Sequence, residues 1–155
     1  SINSFSCPCK QTPIIFTKDY SELQDPAGIL KVIKDMKAFC SNSKGSETIP
    51  EFNEFEDRIH EVPGKRGLNA FSNTQLDELL QENEIKDIVF AGAVTSVCID
   101  SSARAAYERG YKVTVLSDCT TGRTMFEQDF YCNDIFPIYA EVLDHDQFIT
   151  SFANA

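Results

Sequence analysis

The run Asp87-Ile88-Val89-Phe90-Ala91-Gly92-Ala93-Val94-Thr95-Ser96-Val97-Cys98-Ile99-Asp100 decides the fold, because it reads as a buried strand, a tight turn and the first turn of a helix. Ile88 to Ala91 is a continuous apolar stretch, too short for a helix and closed by Gly92, the pattern of a parallel strand covered on both faces. A helix follows at once. Ser101, Ser102, Ala103, Ala105 and Ala106 are small enough to let it lie close on a sheet, and Gly110, just past Arg109, supplies its C-terminal stop. This reading sets Cys98 at a helix N-terminus.

The unpaired N–H groups and positive dipole end of such a turn favour an anion, which draws a thiol toward the thiolate form that acts as a nucleophile. The same N–H groups can hold the oxyanion produced when sulfur attacks a carbonyl, so one turn can supply both nucleophile and oxyanion hole. The other reading of a cysteine here is packing, since free cysteine is among the most buried residue types.

At 155 residues the chain has the size of a single domain, here 1–155, and can bury a core without disulfide staples. A net charge of -10 argues against nucleic-acid and anionic-membrane surfaces, which need clustered Lys and Arg, and leaves a small molecule or a protein as partner. No apolar run approaches the roughly 20 residues of a membrane-spanning helix, and the N-terminus lacks a signal peptide's apolar segment. The expectation is a cytoplasmic protein. Its six cysteines are spread through helix and strand patterns rather than packed into a loop-rich scaffold, so reduced thiols are expected. Cys7-Pro8-Cys9 lacks the C-x-x-C spacing of a metal or redox pair.

Pro13 to Thr17 reads as a second buried parallel strand. A helix capped by Asp25, with Pro26 in its first turn, should follow and bury Ile29, Val32, Ile33, Met36 and Cys40 as core. Arg58 to Val62 alternates as a short strand ended by Pro63-Gly64, which delivers Lys65 to a loop. Ser72 and Gln75 form a capping-box pattern ahead of a helix burying Leu76, Leu79 and Leu80. Lys112 to Leu116 is a strand with Ser117 to Gly122 as its exit loop, Thr124 to Ile138 is helical, Ala140 to Leu143 is a strand, and Asp146 to Phe152 is a closing helix. The alternation of β with α gives an α/β fold with a mostly parallel sheet and helices on both faces.

Lys65-Arg66-Gly67-Leu68-Asn69-Ala70-Phe71, Thr74, Leu76, Ala91 to Ile99, Gly110-Tyr111-Lys112-Val113 and Ser117-Asp118 together resemble the isochorismatase-like cysteine hydrolase family, over about Pro13 to Ile149. The specific parts are a lysine six residues before a phenylalanine and a glycine six before a cysteine, in that order. The resemblance implies a three-layer α/β sandwich with an aspartate–lysine–cysteine triad, in which Cys98 is the nucleophile and Lys65 its charged neighbour. It also implies a cis peptide at Ala93-Val94 that aims the Val94 N–H, with that of Cys98, at the substrate oxygen. An ammonium at Lys65 stabilises a thiolate beyond what the helix end does.

Two departures accompany the resemblance. The family's aspartate ends a first strand, which Ser1 to Thr12 do not provide, and taking Asp19 in its place leaves no second strand before Lys65. The expectation is that this first strand is missing, the sequence lacking an upstream segment or being a degenerate member. Nicotinamidases of the family bind a metal through an aspartate and histidines after the second strand, whereas Asp19-Tyr20-Ser21-Glu22 has no histidine, and His60 and His145 have no partner at ligand spacing. No metal and no cofactor are therefore expected. The leading function is hydrolysis of a small amide, ureide or related compound through a thioacyl intermediate; the rival is a non-catalytic binding or scaffold protein that has lost the aspartate. Arg123 can meet a substrate carboxylate or simply be solvated. The aromatic-rich stretch of Phe126, Phe130, Tyr131, Phe136 and Tyr139, together with the resemblance, points to a homo-oligomer, a dimer or tetramer.

Overall fold

The computed structural model describes residues 14–18, 24–38, 40, 44, 47, 50–52, 55 and 59–153. Cys7, Cys9, Asp19 to Glu22 and Arg58 lie outside them. The chain divides into two compact units, Ser1–Gly64 and Lys65–Ala155.

In the first unit, strand β1 (Ile14–Lys18) pairs with β2 (His60–Lys65), and helix α1 (Gly28–Asp35) lies between them in the chain. β2 continues through Pro63 and Gly64 rather than stopping at them, with Gly64 at φ 81°, a conformation open to glycine. The start and packing of α1 differ from expectation. Its N-cap is Ala27, without a side-chain bond, and Asp25 has φ 39° ahead of it. Ile29 and Val32 are 50% exposed and Met36 72%, so the apolar stripe is not core among the described residues. Helical periodicity states which face seeks cover; it does not supply the cover.

The second unit begins at Lys65 and holds helix α2 (Leu76–Glu82), strand β3 (Asp87–Ala93), helix α3 (Asp100–Glu108), strand β4 (Lys112–Thr121), helix α4 (Met125–Phe130), strand β5 (Glu141–Leu143) and helix α5 (His145–Ala153). Its sheet has the order β3-β4-β5, all parallel. β4 is central, and Val113, Thr114 and Val115 are buried there. Among the described residues Val89 of β3 is 39% exposed, so the expected cover on both faces of this strand is incomplete.

Register holds from Asp87↔Lys112 to Phe90↔Val115, then shifts, and resumes at Gly92↔Thr120 and Ala93↔Thr121. β4 thus absorbs Leu116 to Cys119 as an irregularity and runs on to Thr121, where an exit loop was expected. α3 lies close on the sheet through Ser102, Ala103, Ala105 and Ala106, and Gly110 at φ 90° ends it as read.

The Ser72–Gln75 capping box does not form. α2 starts at Leu76 because Thr74 intervenes: its hydroxyl donates to the Ala70 carbonyl at 2.5 Å and accepts from the Leu76 N–H at 3.4 Å. The segment after Thr124 is α4, a π-helical turn at Tyr131–Ile135 and a 3₁₀ turn at Phe136–Ile138. Phe136 and Tyr139 are core, so only part of the aromatic stretch is surface: Phe126 is 80% exposed and Phe130 42%. Asp118 fastens α5, accepting the His145 backbone N–H at 3.0 Å and pairing with its ring Nδ1. That pairing raises the His145 pKa and lowers that of Asp118.

Candidate active site

Gly92 sits at φ 114°, a conformation that suits glycine, and the Ala93–Val94 peptide is cis. The chain then enters not an α-helical first turn but a wider π-helical one, Thr95–Ile99, which runs directly into α3. The Val94 carbonyl accepts from the N–H groups of Val97 at 3.0 Å and Ile99 at 3.2 Å, the residues on either side of Cys98. Such turns inside helices recur at functional sites. Cys98 is half-buried with a free thiol. Two other thiols are held protonated: burial pushes the pKa of Cys132 up, and burial with the Asp118 charge does the same at Cys119.

Lys65 closes β2 and is only 2% exposed. Its ammonium donates to the Gly67 carbonyl at 2.6 Å. An ion this deeply desolvated persists only where polar partners or an opposing charge hold it. The segment after Lys65 is tied to the cysteine's helix, because the Ala70 N–H donates to the buried Ser102 hydroxyl at 2.9 Å, and Ser102 stands four residues beyond Cys98. Phe71 stacks on Tyr111 with ring centroids 6.2 Å apart, and the Arg109 guanidinium lies 4.7 Å from the Phe71 ring.

The other side of the π-turn is gripped by α4. The fully buried Thr95 hydroxyl donates to Gln128 Oε1 at 2.6 Å, while the Ser96 hydroxyl bonds Glu127 Oε1. Gln128 Nε2 in turn lies 2.9 Å from the Ser117 carbonyl, 3.1 Å from Thr120 Oγ1 and 3.3 Å from Cys132 Sγ. Glu127 Oε2 accepts from Arg123 Nε at 2.8 Å. The Ser96 hydroxyl, and after it Arg123, hold the Glu127 carboxyl below its usual range. Sequence reasoning missed Glu127 and Gln128. A signal was present in Thr124-Met125-Phe126-Glu127, a capping-box spacing, and the Glu127 N–H does donate to Thr124 Oγ1 at 3.1 Å. The Glu127 carboxylate, however, is spent on Ser96 and Arg123.

Among the described residues, no group of three or more His, Cys, Asp or Glu is placed to hold a metal ion. His145 is engaged with Asp118 and lies 3.2 Å from Asp146. An open hollow lined by Gln81, Glu84, Ile85 and Lys86 lies ahead of β3, at the opposite end of that strand from Cys98. Ligands of parallel sheets bind beyond the carboxyl ends of strands, so the π-turn and not this hollow is the candidate site.

The chain is similar to known proteins over most of its length. The isochorismatase domain model matches residues 8–147. Nicotinamidase 3 of Arabidopsis thaliana is 25% identical over 114 residues, 74% of this chain and 58% of that protein. Ureidoacrylate amidohydrolase RutB of Stutzerimonas stutzeri is 35% identical over 95 residues, 61% of this chain and 38% of that protein. The chain thus spans less than two thirds of either relative. An isochorismatase-like hydrolase from Alkaliphilus metalliredigens superposes with a TM-score of 0.73 at 29% identity, covering 91% of this chain and 72% of that one. With the α/β fold, the parallel sheet and a family match over nearly the whole sequence, the chain belongs to the isochorismatase family.

Proposed function

We propose that the chain is a cysteine-dependent hydrolase of the C–N bond in a small amide or ureide, working through a thioacyl intermediate. The supporting observation is the half-buried Cys98 on a π-turn that runs straight into α3, the helix to which the segment following the buried Lys65 is hydrogen-bonded through Ser102. Relatives named as a nicotinamidase and a ureidoacrylate amidohydrolase support an amide as the bond cleaved.

In this reading the Cys98 thiolate attacks the carbonyl carbon. A C–S bond forms, the carbonyl electron pair moves to oxygen, and the oxyanion rests on the Val94 and Cys98 N–H groups. Collapse breaks the C–N bond, and the nitrogen leaves as amine with a proton taken from solvent water. A second water then attacks the thioester carbon and gives its proton to solvent, and the C–S bond breaks to leave the acid and the Cys98 thiolate. Lys65 stabilises the thiolate by charge.

The test is timed iodoacetamide labelling with peptide mapping on wild type and Lys65→Ala, beside amidase assays of Cys98→Ser. Cys98 should react ahead of Cys40, Lys65→Ala should slow it, and Cys98→Ser should lose hydrolysis by roughly 10³-fold or more. A Cys98 that labels no faster than Cys40 leaves a packing residue and a binding protein.

A further inference from the structure

The Gln128 amide joins three elements through one planar group, and only one orientation of that group fits. Ser117 offers a carbonyl oxygen at 2.9 Å, which can only accept, so Nε2 must face it. The other N–H meets Thr120 Oγ1 at 3.1 Å, with Cys132 Sγ at 3.3 Å beside it. Oε1 is thereby turned to the fully buried Thr95 hydroxyl at 2.6 Å, which must donate, and its rotor is fixed.

These contacts close a ring. β3 and β4 pair at Gly92↔Thr120, the chain runs from Gly92 through Ala93 and Val94 to Thr95, and Thr95 returns through Gln128 to Thr120. Val94 stands inside the ring, and Cys98 three residues beyond it. Ser117 and Thr120 lie on the stretch of β4 where the register slips, so the amide pins the irregular part of that strand to the nucleophile's turn. Satisfying one buried hydroxyl requires a single acceptor, and here both N–H groups of the amide are spent on β4 as well. Apolar packing does not explain the placement either, because α4 buries no residue.

We propose that Gln128 is a positioning residue: through Thr95 it sets the direction of the Val94 N–H, and so the oxyanion site on which attack by Cys98 depends. The proposal rests on the reading of Cys98 as nucleophile and of Val94 as oxyanion donor. Gln128 acts on the reaction only through Thr95.

A displaced donor slows attack on a carbonyl and spares displacement of iodide, because alkylation forms no oxyanion. Two reagents separate these effects at one sulfur. In p-nitrophenyl acetate the carbonyl carbon takes the Cys98 sulfur and expels p-nitrophenolate; in iodoacetamide the methylene carbon takes it and expels iodide. The ratio of the first rate, above a Cys98→Ser background, to the second should fall about tenfold in Gln128→Met, which keeps the chain length and loses the amide. Adding Thr95→Val removes both partners of the buried bond, so urea stability should recover while the ratio stays low. This double variant carries the same test if Gln128→Met alone does not fold. A ratio unmoved in Gln128→Met overturns the proposal, as does an equal fall for both reagents. So does a ratio restored in the double variant, which reduces Gln128 to a partner for a buried hydroxyl. If wild-type Cys98 is inert to both reagents, the catalytic reading fails by itself. Amide hydrogen exchange then decides the tether: the Val97 and Ile99 N–H groups, which close the turn on the Val94 carbonyl, must exchange faster in Gln128→Met or the double variant, relative to the amides of α3. Unchanged exchange overturns the tether.

Discussion

Helices α3 and α4 meet the same five-residue turn, Thr95–Ile99, and are held there by opposite means. α3 presents four buried small residues, with Ala103 and Ala106 fully covered, and its fit depends on there being no side chain to accommodate. α4 buries no residue. It is held by Thr124 at its cap and by Glu127 and Gln128, which hook Ser96 and Thr95, while Met125 and Phe126 are 77% and 80% exposed. Close packing fixes the helix that the cysteine leads into; polar hooks fix the wall opposite and leave its outer face free to vary.

The sharpest way to break this contrast is to enlarge α3. Ala106→Leu should cost about 2 kcal/mol or more, since a covered site with no spare volume answers extra methylenes by shifting backbone or forcing rotamers. Urea unfolding measures it. A variant as stable as wild type would mean that α3 does not lie close on the sheet.

The polar side is tested at Gly122, where a Cβ would come within 3.1 Å of the Gln128 nitrogen and 3.3 Å of the Thr124 carbonyl oxygen. Both are backbone atoms and cannot swing aside. Gly122→Ala should therefore destabilise by about 1 kcal/mol, less than Ala106→Leu because the loop at α4 can yield. An unchanged urea midpoint would show the α4 cap to be looser than its hydrogen bonds indicate.

The same contrast explains what the sequence made legible. The strand, the glycine turn, the position of Cys98 and the stop at Gly110 follow from local patterns, because each depends on residues within a few positions of one another. The π-helical turn does not: five residues are too few to distinguish its period from that of an α-helix. Nor does the length of β4, since a register shift is set by the partner strand. Glu127 and Gln128 reach residues 31 and 33 positions away, beyond any spacing rule. The stripe on α1 was legible as amphipathic, yet periodicity is silent on what lies against it.

Acid should release α4 and leave α3 in place. The folded Glu127 pKa is lowered, chiefly by the Ser96 hydroxyl, so its contribution is complete above the ordinary value of 4.5 and is lost as pH falls through the lowered one. The stability gap between wild type and Glu127→Gln should be flat at neutral pH and close on acidification below that window. Urea midpoints between pH 3 and 7 measure it, roughly the carboxylate titration range. A gap that stays constant down to pH 3 would mean that charge plays no part in the grip.

The smallest effect is expected on the outer face of α4. Phe126 stacks on Phe130 at 6.1 Å, but at 80% exposure it removes little of its surface from water within the chain. Phe126→Ser should therefore change the urea midpoint, at protein concentrations low enough to keep chains apart, by no more than about 0.5 kcal/mol. Its consequence should lie between chains. If this face joins copies of the protein, as its exposed Met125, Phe126 and Phe130 suit it to do, wild type should sediment above the monomer mass at micromolar concentration and Phe126→Ser should sediment lighter. Identical sedimentation of the two would exclude Phe126 from any such interface, and a large loss of stability in Phe126→Ser would show that α4 is held by apolar contact after all.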